Sequence, residues 1–211
     1  MPRKNNPPGK RTAAAGTDAP QATDLRIIGG VLARRKLHYA GDPRTRPMKD
    51  RVREAVFNLV GPAVKGTHAI DLFAGTGALG LEAVSRGAAR ATFFEQHFPT
   101  ADVIRGNIAA LGIDDACQVV AANTFLAFRR ERDMGAAPWL VFCSPPYDFY
   151  VDRLEEVLAL LATLVGLAPA GSTFVVEADR RFDFAQLPDQ LQWDVREYPP
   201  ARIGIGRDPS G

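Results

Sequence analysis

An open, mostly parallel α/β sheet, closed by an antiparallel C-terminal hairpin and preceded by a hairpin-and-helix extension, is the fold this sequence predicts. Three observations carry that expectation. From His68 onward, short apolar runs alternate with amphipathic segments of helical period, the signature of strands and crossover helices. A glycine-rich loop follows the first apolar run and opens the first of these helices. The last two strand-like runs are separated only by Pro199-Pro200, which leaves room for a turn and no crossover.

The elements follow in order. Residues 1–24 are rich in Pro, Gly, Ala and Thr without periodicity, and are expected to form a disordered basic tail. In LRIIGGVLARRKLHY, apolar residues flank Gly29-Gly30 as in a hairpin. In TRPMKDRVREAVFNLV, Val52, Val56 and Leu59/Val60 recur at helical spacing, with Pro47 expected in the first turn, where its missing N–H costs little. The strand-like runs beyond are HAIDLF, ATFFE, CQVVAA, WLVFC, STFVVEA, LQWDVREY and ARIGIG. Between them, GALGLEAVSRG, PTADVIRGNIAALG, TFLAFRRERDM and VDRLEEVLALLATLV read as helices, the first two ended by Gly87 and Gly112. The division expected is a tail over 1–24, a hairpin-and-helix extension over 25–64, and an α/β domain over 65–211.

The chain has 211 residues and a net charge of +2, but the charge is uneven. Met1 to Arg53 carries 13 Lys/Arg against 4 Asp/Glu, whereas the remainder carries 13 against 20. A basic front on an acidic body suggests a polyanionic partner, with Arg34, Arg35, Lys36, Arg44, Arg46, Arg51 and Arg53 as the candidate phosphate contacts. No apolar run approaches a membrane span and the N-terminus has no hydrophobic signal core, so a cytoplasmic protein with no membrane partner is expected. Cys117 and Cys143 sit in or beside apolar runs and read as core residues. His38, His68 and His97 have no partner at ligand spacing, so no metal is expected. Nothing demands more than a monomer.

In IDLFAGTGALG, Gly75, Gly77 and Gly80 fit the G-x-G-x-x-G pattern, which alone does not separate a dinucleotide from S-adenosylmethionine. Asp71, four residues before the first glycine, favours the latter. A carboxylate there repels a pyrophosphate but attracts a sulfonium and an ammonium. Glu95 ends the second strand, 18 residues after Gly77, where it can accept ribose hydroxyls in either cofactor class.

VFCSPPYDFY follows the fourth strand of the parallel series, on the rim where ligands bind in open α/β sheets. Two prolines hold an extended, stiff backbone, aiming the Pro145 carbonyl into the cleft. Tyr147 offers a face for a base to stack on. A side-chain oxygen and the Pro145 carbonyl, accepting from a planar exocyclic amine, would help it pyramidalise for attack on a methyl group.

Joined in one chain, RIIGG, TRPMKDRVREAVFNLV, IDLFAGTGALGLEAVSRGA, FFEQ and SPPYDFY resemble the RsmD-type 16S ribosomal RNA guanine-N2 methyltransferases, over roughly Arg26 to Arg207. The resemblance implies a class I methyltransferase, Rossmann-like fold with S-adenosylmethionine as donor. It implies a guanine of small-subunit ribosomal RNA as target, presented on an assembling ribosomal particle. By position, Asp71, Gly75, Gly77 and Glu95 would hold the donor, with Phe73 and Asn123 completing that set. Ser144, Pro145, Pro146 and Tyr147 would hold the target base, and the basic segment from Arg26 to Arg53 would meet the RNA. Two positions depart from the family pattern. Ser144 stands where aspartate usually precedes the prolines, and Ala122-Asn123 replaces Gly-Asp, keeping an acceptor in the amide oxygen for the adenine amine. A hydroxyl is a weaker acceptor than a carboxylate, and Asp148 is the candidate to supply the missing charge. The readings left open are another exocyclic amine as target, in DNA or a protein glutamine, and a non-catalytic RNA-binding or assembly factor.

Overall fold

The computed structural model describes residues 25–39, 47–128 and 134–209. The expected tail and Arg44 and Arg46 lie outside the described residues. Seven strands form one sheet: β1 (His68–Asp71), β2 (Arg90–Phe94), β3 (Cys117–Val120), β4 (Trp139–Cys143), β5 (Thr173–Ala178), β6 (Gln192–Tyr198) and β7 (Ala201–Arg207). Their spatial order is β3-β2-β1-β4-β5-β7-β6. The first five are parallel, while β7 runs antiparallel to both β5 and β6. The expected α/β sheet with an antiparallel C-terminal hairpin is therefore the fold observed.

Helices α1 (Asp50–Val60), α2 (Ala78–Ser85) and α3 (Phe98–Leu111) bury their apolar sides on one face of the sheet. The other face is covered by α4 (Thr124–Ala127), α5 (Phe149–Asp152) and α6 (Leu154–Leu167). The central strands are buried on both faces, which is why WLVFC and the Phe174–Val176 stretch of β5 read as apolar runs without alternation. Phe93, Phe142 and Leu140 are fully buried, each side chain contributing about 1.5–3 kcal/mol by leaving water.

Local departures from the sequence expectations have physical reasons. Helix α1 starts at Asp50, so Pro47 lies outside its first turn. Lys49 has extended backbone (φ −58°, ψ 141°), and the stretch Pro47–Lys49 runs along the sheet rim instead. The expected helix after Glu95 is observed, but the one over TFLAFRRERDM is a single turn, α4, as far as the described residues show it. VDRLEEVLALLATLV is divided at Arg153 (φ −138°) into α5 and α6. The N-terminal hairpin is narrow, with one antiparallel bridge, Arg26 to Lys36, and a wide turn between.

That hairpin is fixed to the α/β body through a buried carboxylate. Glu82 of α2 accepts the backbone N–H groups of Ile28 and Gly29, both at 2.7 Å, and the Arg86 Nε at 2.7 Å. Arg53 of α1 approaches the same carboxylate at 3.7 Å and donates to the Arg26 carbonyl and to Asp50. The side chains of Arg53 and Glu82 are both fully buried. This corrects the expectation that Arg53 contacts RNA: its guanidinium is sealed inside the protein, where it joins α1, α2 and the hairpin. Burial lowers its pKa, and the nearby Asp50 and Glu82 carboxylates oppose that shift. Removing one member of such a pair strands the other charge without water. Glu82→Ala is expected to cost about 3–5 kcal/mol in urea unfolding, whereas the exposed Glu54→Ala should change stability by less than about 0.5 kcal/mol.

Candidate active site

All five parallel strands end on one rim, and a cleft of about 540 Å³ opens there. Asp71 and Phe73 come from the end of β1, Gly75 from the following loop, and Glu95 from the end of β2. Asn123 follows β3, and Ser144, Pro145, Pro146 and Tyr147 follow β4. The structure thus gathers into one cavity nine of the ten residues singled out for cofactor and base. Gly77 is the exception, and its place is in the turn itself. With φ of +73° it caps α2, and a Cβ there would meet Ile104 at 3.1 Å. Gly80 permits close helix–strand packing, since a Cβ would fall 2.3 Å from the Phe93 ring.

The carboxylates on this rim are held by named donors. Asp71 is buried and its Oδ2 accepts from Gly80 N at 3.2 Å. Burial pushes its pKa up to about 7; the Gly80 hydrogen bond opposes this and the Glu95 charge adds to it. Glu95 accepts from Gly75 N at 3.0 Å and from His97 N at 2.8 Å, tying the glycine loop to the start of α3. Asn123 caps α4, its Oδ1 accepting from Phe125 N at 3.0 Å and its Nδ2 donating to Gln96 at 3.2 Å. The amide oxygen is therefore oriented by the helix start, with a second lone pair left to face the cleft.

Phe73, Phe125 and Phe149 form an aromatic cluster in the cleft wall, with ring centroids 5.6–6.1 Å apart. The Arg153 guanidinium covers Phe125 and Phe149 at 4.2 and 4.9 Å. The opposite wall comes from Pro47, Met48, Lys49 and Val52, with Tyr198–Ala201 from the β6–β7 turn. Antiparallel pairing of β7 with β5 brings that turn to the rim, and Arg51 donates to the Pro199 carbonyl at 3.2 Å.

Sequence reasoning missed Glu177, near the end of β5. The β4–β5 register pairs Cys143 with Val176, so the next residues along, Ser144 and Glu177, lie side by side. The Ser144 hydroxyl donates to Glu177 Oε2, and the Tyr147 phenol donates to Oε1 at 2.8 Å. Glu177 is 8% exposed and lines the cleft. The signal was present in STFVVEA, a carboxylate closing an otherwise buried strand as Asp71 does in HAID. Asp148 does not supply the missing charge: it is exposed and accepts from both terminal nitrogens of Arg181 at 3.0 Å.

The basic candidates separate in space. Arg51 is exposed beside the cleft. Arg34, Arg35 and Lys36 are exposed on the hairpin, which packs at the far ends of α2 and α3: Val31 N donates to the Ser85 carbonyl and Arg35 to the Ala110 carbonyl. Those ends lie about a helix length, roughly 12–20 Å, from the rim where α2 and α3 begin.

Residues 25–198 match the family described as "Conserved hypothetical protein 95". The Escherichia coli (strain K12) protein named "Ribosomal RNA small subunit methyltransferase D" is 41% identical over 137 residues, which span 65% of this chain and 66% of that protein. The chain belongs to the RsmD-type methyltransferase family. The solved structure of yhhF from Escherichia coli superposes with a TM-score of 0.74 at 29% identity, covering 87% of this chain and 98% of that one. An RNA methyltransferase from Salinibacter ruber, solved in complex with S-adenosyl-L-homocysteine, shares the fold at a TM-score of 0.58 and 18% identity, covering 78% of this chain and 95% of that one.

The residues present fit S-adenosylmethionine as the methyl donor of an RsmD-type chain. Asp71 is buried with its ionised form disfavoured, and a cationic group bound beside it would favour that form. Glu95 keeps lone pairs for the ribose hydroxyls beyond those used by Gly75 and His97. Burial pushes the thiols of both free cysteines, Cys117 and Cys143, up to about 12, so neither offers a thiolate near neutrality. Among the described residues, no helix is long and apolar enough to cross a membrane.

The Asp71 shift has a definite sign. The folded value lies above the ordinary one, so Asp71 favours the ligand-free fold at acid pH and that contribution is lost as pH rises toward 7. A bound cation favours the ionised form. Donor binding measured by calorimetry should therefore release a proton near neutrality and weaken by up to about tenfold per unit as pH falls below 7. Asp71→Asn should bind more weakly and lose that pH dependence.

Proposed function

We propose that the chain transfers a methyl group to the exocyclic N2 of a guanine in small-subunit ribosomal RNA. The observation that carries this reading is the shared cleft: the Asp71–Gly75 loop and the Ser144–Tyr147 floor sit on adjacent strands, β1 and β4, and open into the same cavity. S-adenosylmethionine supplies an electrophilic methyl on a sulfonium that leaves as a neutral thioether. Asp71, Phe73, Gly75, Glu95 and Asn123 bind and orient the donor, while Gly77 shapes the loop. The floor receives a base unstacked from its RNA. Tyr147 gives its ring to the base, and Ser144 with the Pro145 carbonyl accepts the N–H groups of the amine. With both reactants held in line, orientation and hydrogen bonding lower the barrier without a covalent enzyme intermediate.

The partner follows from the relative's name and from the charge of the chain's front. Arg51 and Lys49 stand beside the cleft, where they can meet the phosphates flanking the target nucleotide. Arg34, Arg35 and Lys36 would reach RNA farther from the target, so a folded RNA or an assembling particle is the substrate these positions suit. The protein acts in the cytoplasm as a monomer with residues 65–211 as its catalytic domain and 25–64 as its RNA-facing extension.

Incubation of immature small-subunit particles with labelled donor, followed by mapping of the modified base, tests this. N2-methylguanine at one site is the expected product, and Tyr147→Ala should reduce its formation roughly 10–100-fold through lost stacking. Preferential labelling of DNA, or of a protein glutamine, would overturn the assignment.

A further inference from the structure

Serine at the head of the Pro-Pro-Tyr floor is a neutral, short acceptor at a position where the reaction is best served by negative charge. The structure puts that charge one strand away. Resting on the amine-methylation reading above, we propose that Glu177 is the positioning residue of the floor: its carboxylate accepts hydrogen bonds from the Ser144 and Tyr147 hydroxyls, so that the serine oxygen faces the target amine as an acceptor.

Each oxygen of Glu177 has one of these roles. Oε2 accepts from the Ser144 hydroxyl, so the hydrogen of that hydroxyl points toward β5 and the oxygen's lone pairs are left for the cleft. Oε1 accepts from the Tyr147 phenol at 2.8 Å, which anchors the far end of the ring offered to the base. A hydroxyl already donating to a carboxylate is a better acceptor than an isolated one, because hydrogen bonds in a chain polarise one another. The backbone of Glu177 is independently fixed by β5 and by the Tyr150 phenol, which donates to its carbonyl at 2.9 Å. The carboxylate is thus placed by the sheet, and its side chain is available to organise the floor. Two hydroxyls donating to a nearly buried carboxylate also explain how a charge is tolerated at that depth.

The amine nitrogen forms a bond to the methyl carbon as the sulfur–carbon bond breaks, with its electron pair going to sulfur. The nitrogen then sheds one proton, which passes through the Ser144 oxygen to Glu177 as the hydroxyl hands its own proton on, and from there to water. Serine and glutamate together perform the task that a single carboxylate would perform at Ser144.

Relocating the carboxylate tests this arrangement. Label transferred to RNA is counted whatever base receives it, so a wrong target base leaves the test intact. Glu177→Gln should lower kcat about 10–100-fold, with little change in KM for S-adenosylmethionine and an unchanged Tm. The double variant Ser144→Asp/Glu177→Gln, which moves the charge back to the head of the floor, should recover most of the lost kcat. A merely structural Glu177 would leave the double variant as impaired as Glu177→Gln. Wild-type activity in Glu177→Gln, or no rescue in the double variant, overturns the inference while the methyltransferase reading stands. A wild-type chain that labels no RNA overturns both.

Discussion

Charge held at the ends of buried strands is the constraint on which this structure depends. Asp71, Glu95 and Glu177 each stand at or just beyond the carboxyl end of a strand whose other residues are almost all buried. Asp71 and Glu177 are buried and Glu95 is half-buried, and each is met by donors the fold itself supplies: Gly80 N, Gly75 N with His97 N, and the Ser144 and Tyr147 hydroxyls. The first is the least compensated, with one backbone donor and a pKa pushed up to about 7 by burial. A cationic methyl donor relieves that deficit, whereas a pyrophosphate would deepen it. On a loop pattern that many nucleotide-binding proteins share, the local electrostatics thus favour a cationic ligand over a pyrophosphate.

The same rim is completed by parts of the chain far apart in sequence. The buried pair of Arg53 and Glu82 fixes α1 against α2, and through the N–H groups of Ile28 and Gly29 it fixes the hairpin as well. Helix α1 then carries Val52 and the preceding Met48 and Lys49 to the cleft wall, while β7, running antiparallel to β5, returns Pro199–Ala201 to the same place. Stability and site geometry are linked here, since losing the internal ion pair loosens one wall of the cavity.

Much of this was legible in the sequence because periodicity and glycine placement report on backbone geometry, which local chemistry controls. The order of strands and helices from HAID to ARIGIG, the glycine loop and the rim position of the Pro-Pro-Tyr segment all followed from such patterns. Side-chain partnerships did not. Arg53 looks like its basic neighbours in TRPMKDRVREAV, and its burial depends on Glu82, 29 residues later, which no periodicity announces. Glu177 carries no local mark in the sequence because its neighbour Ser144 is set by β4–β5 register, a non-local pairing. Asp148, adjacent to the floor in sequence, instead pairs with Arg181. Chain proximity points to Asp148, whereas sheet register sets Glu177 beside Ser144.

The division of the cleft into a donor half under Asp71 and Glu95 and a base half above Ser144 and Glu177 is most directly tested by an experimental structure with S-adenosyl-L-homocysteine and guanosine both bound. The guanine N2 is expected within hydrogen-bonding distance, about 2.7–3.2 Å, of Ser144 Oγ, with the serine still donating to Glu177 and the sulfur on the Asp71 side. A guanine whose N2 points away from Ser144, or a Glu177 carboxylate turned out of the floor, would contradict this arrangement.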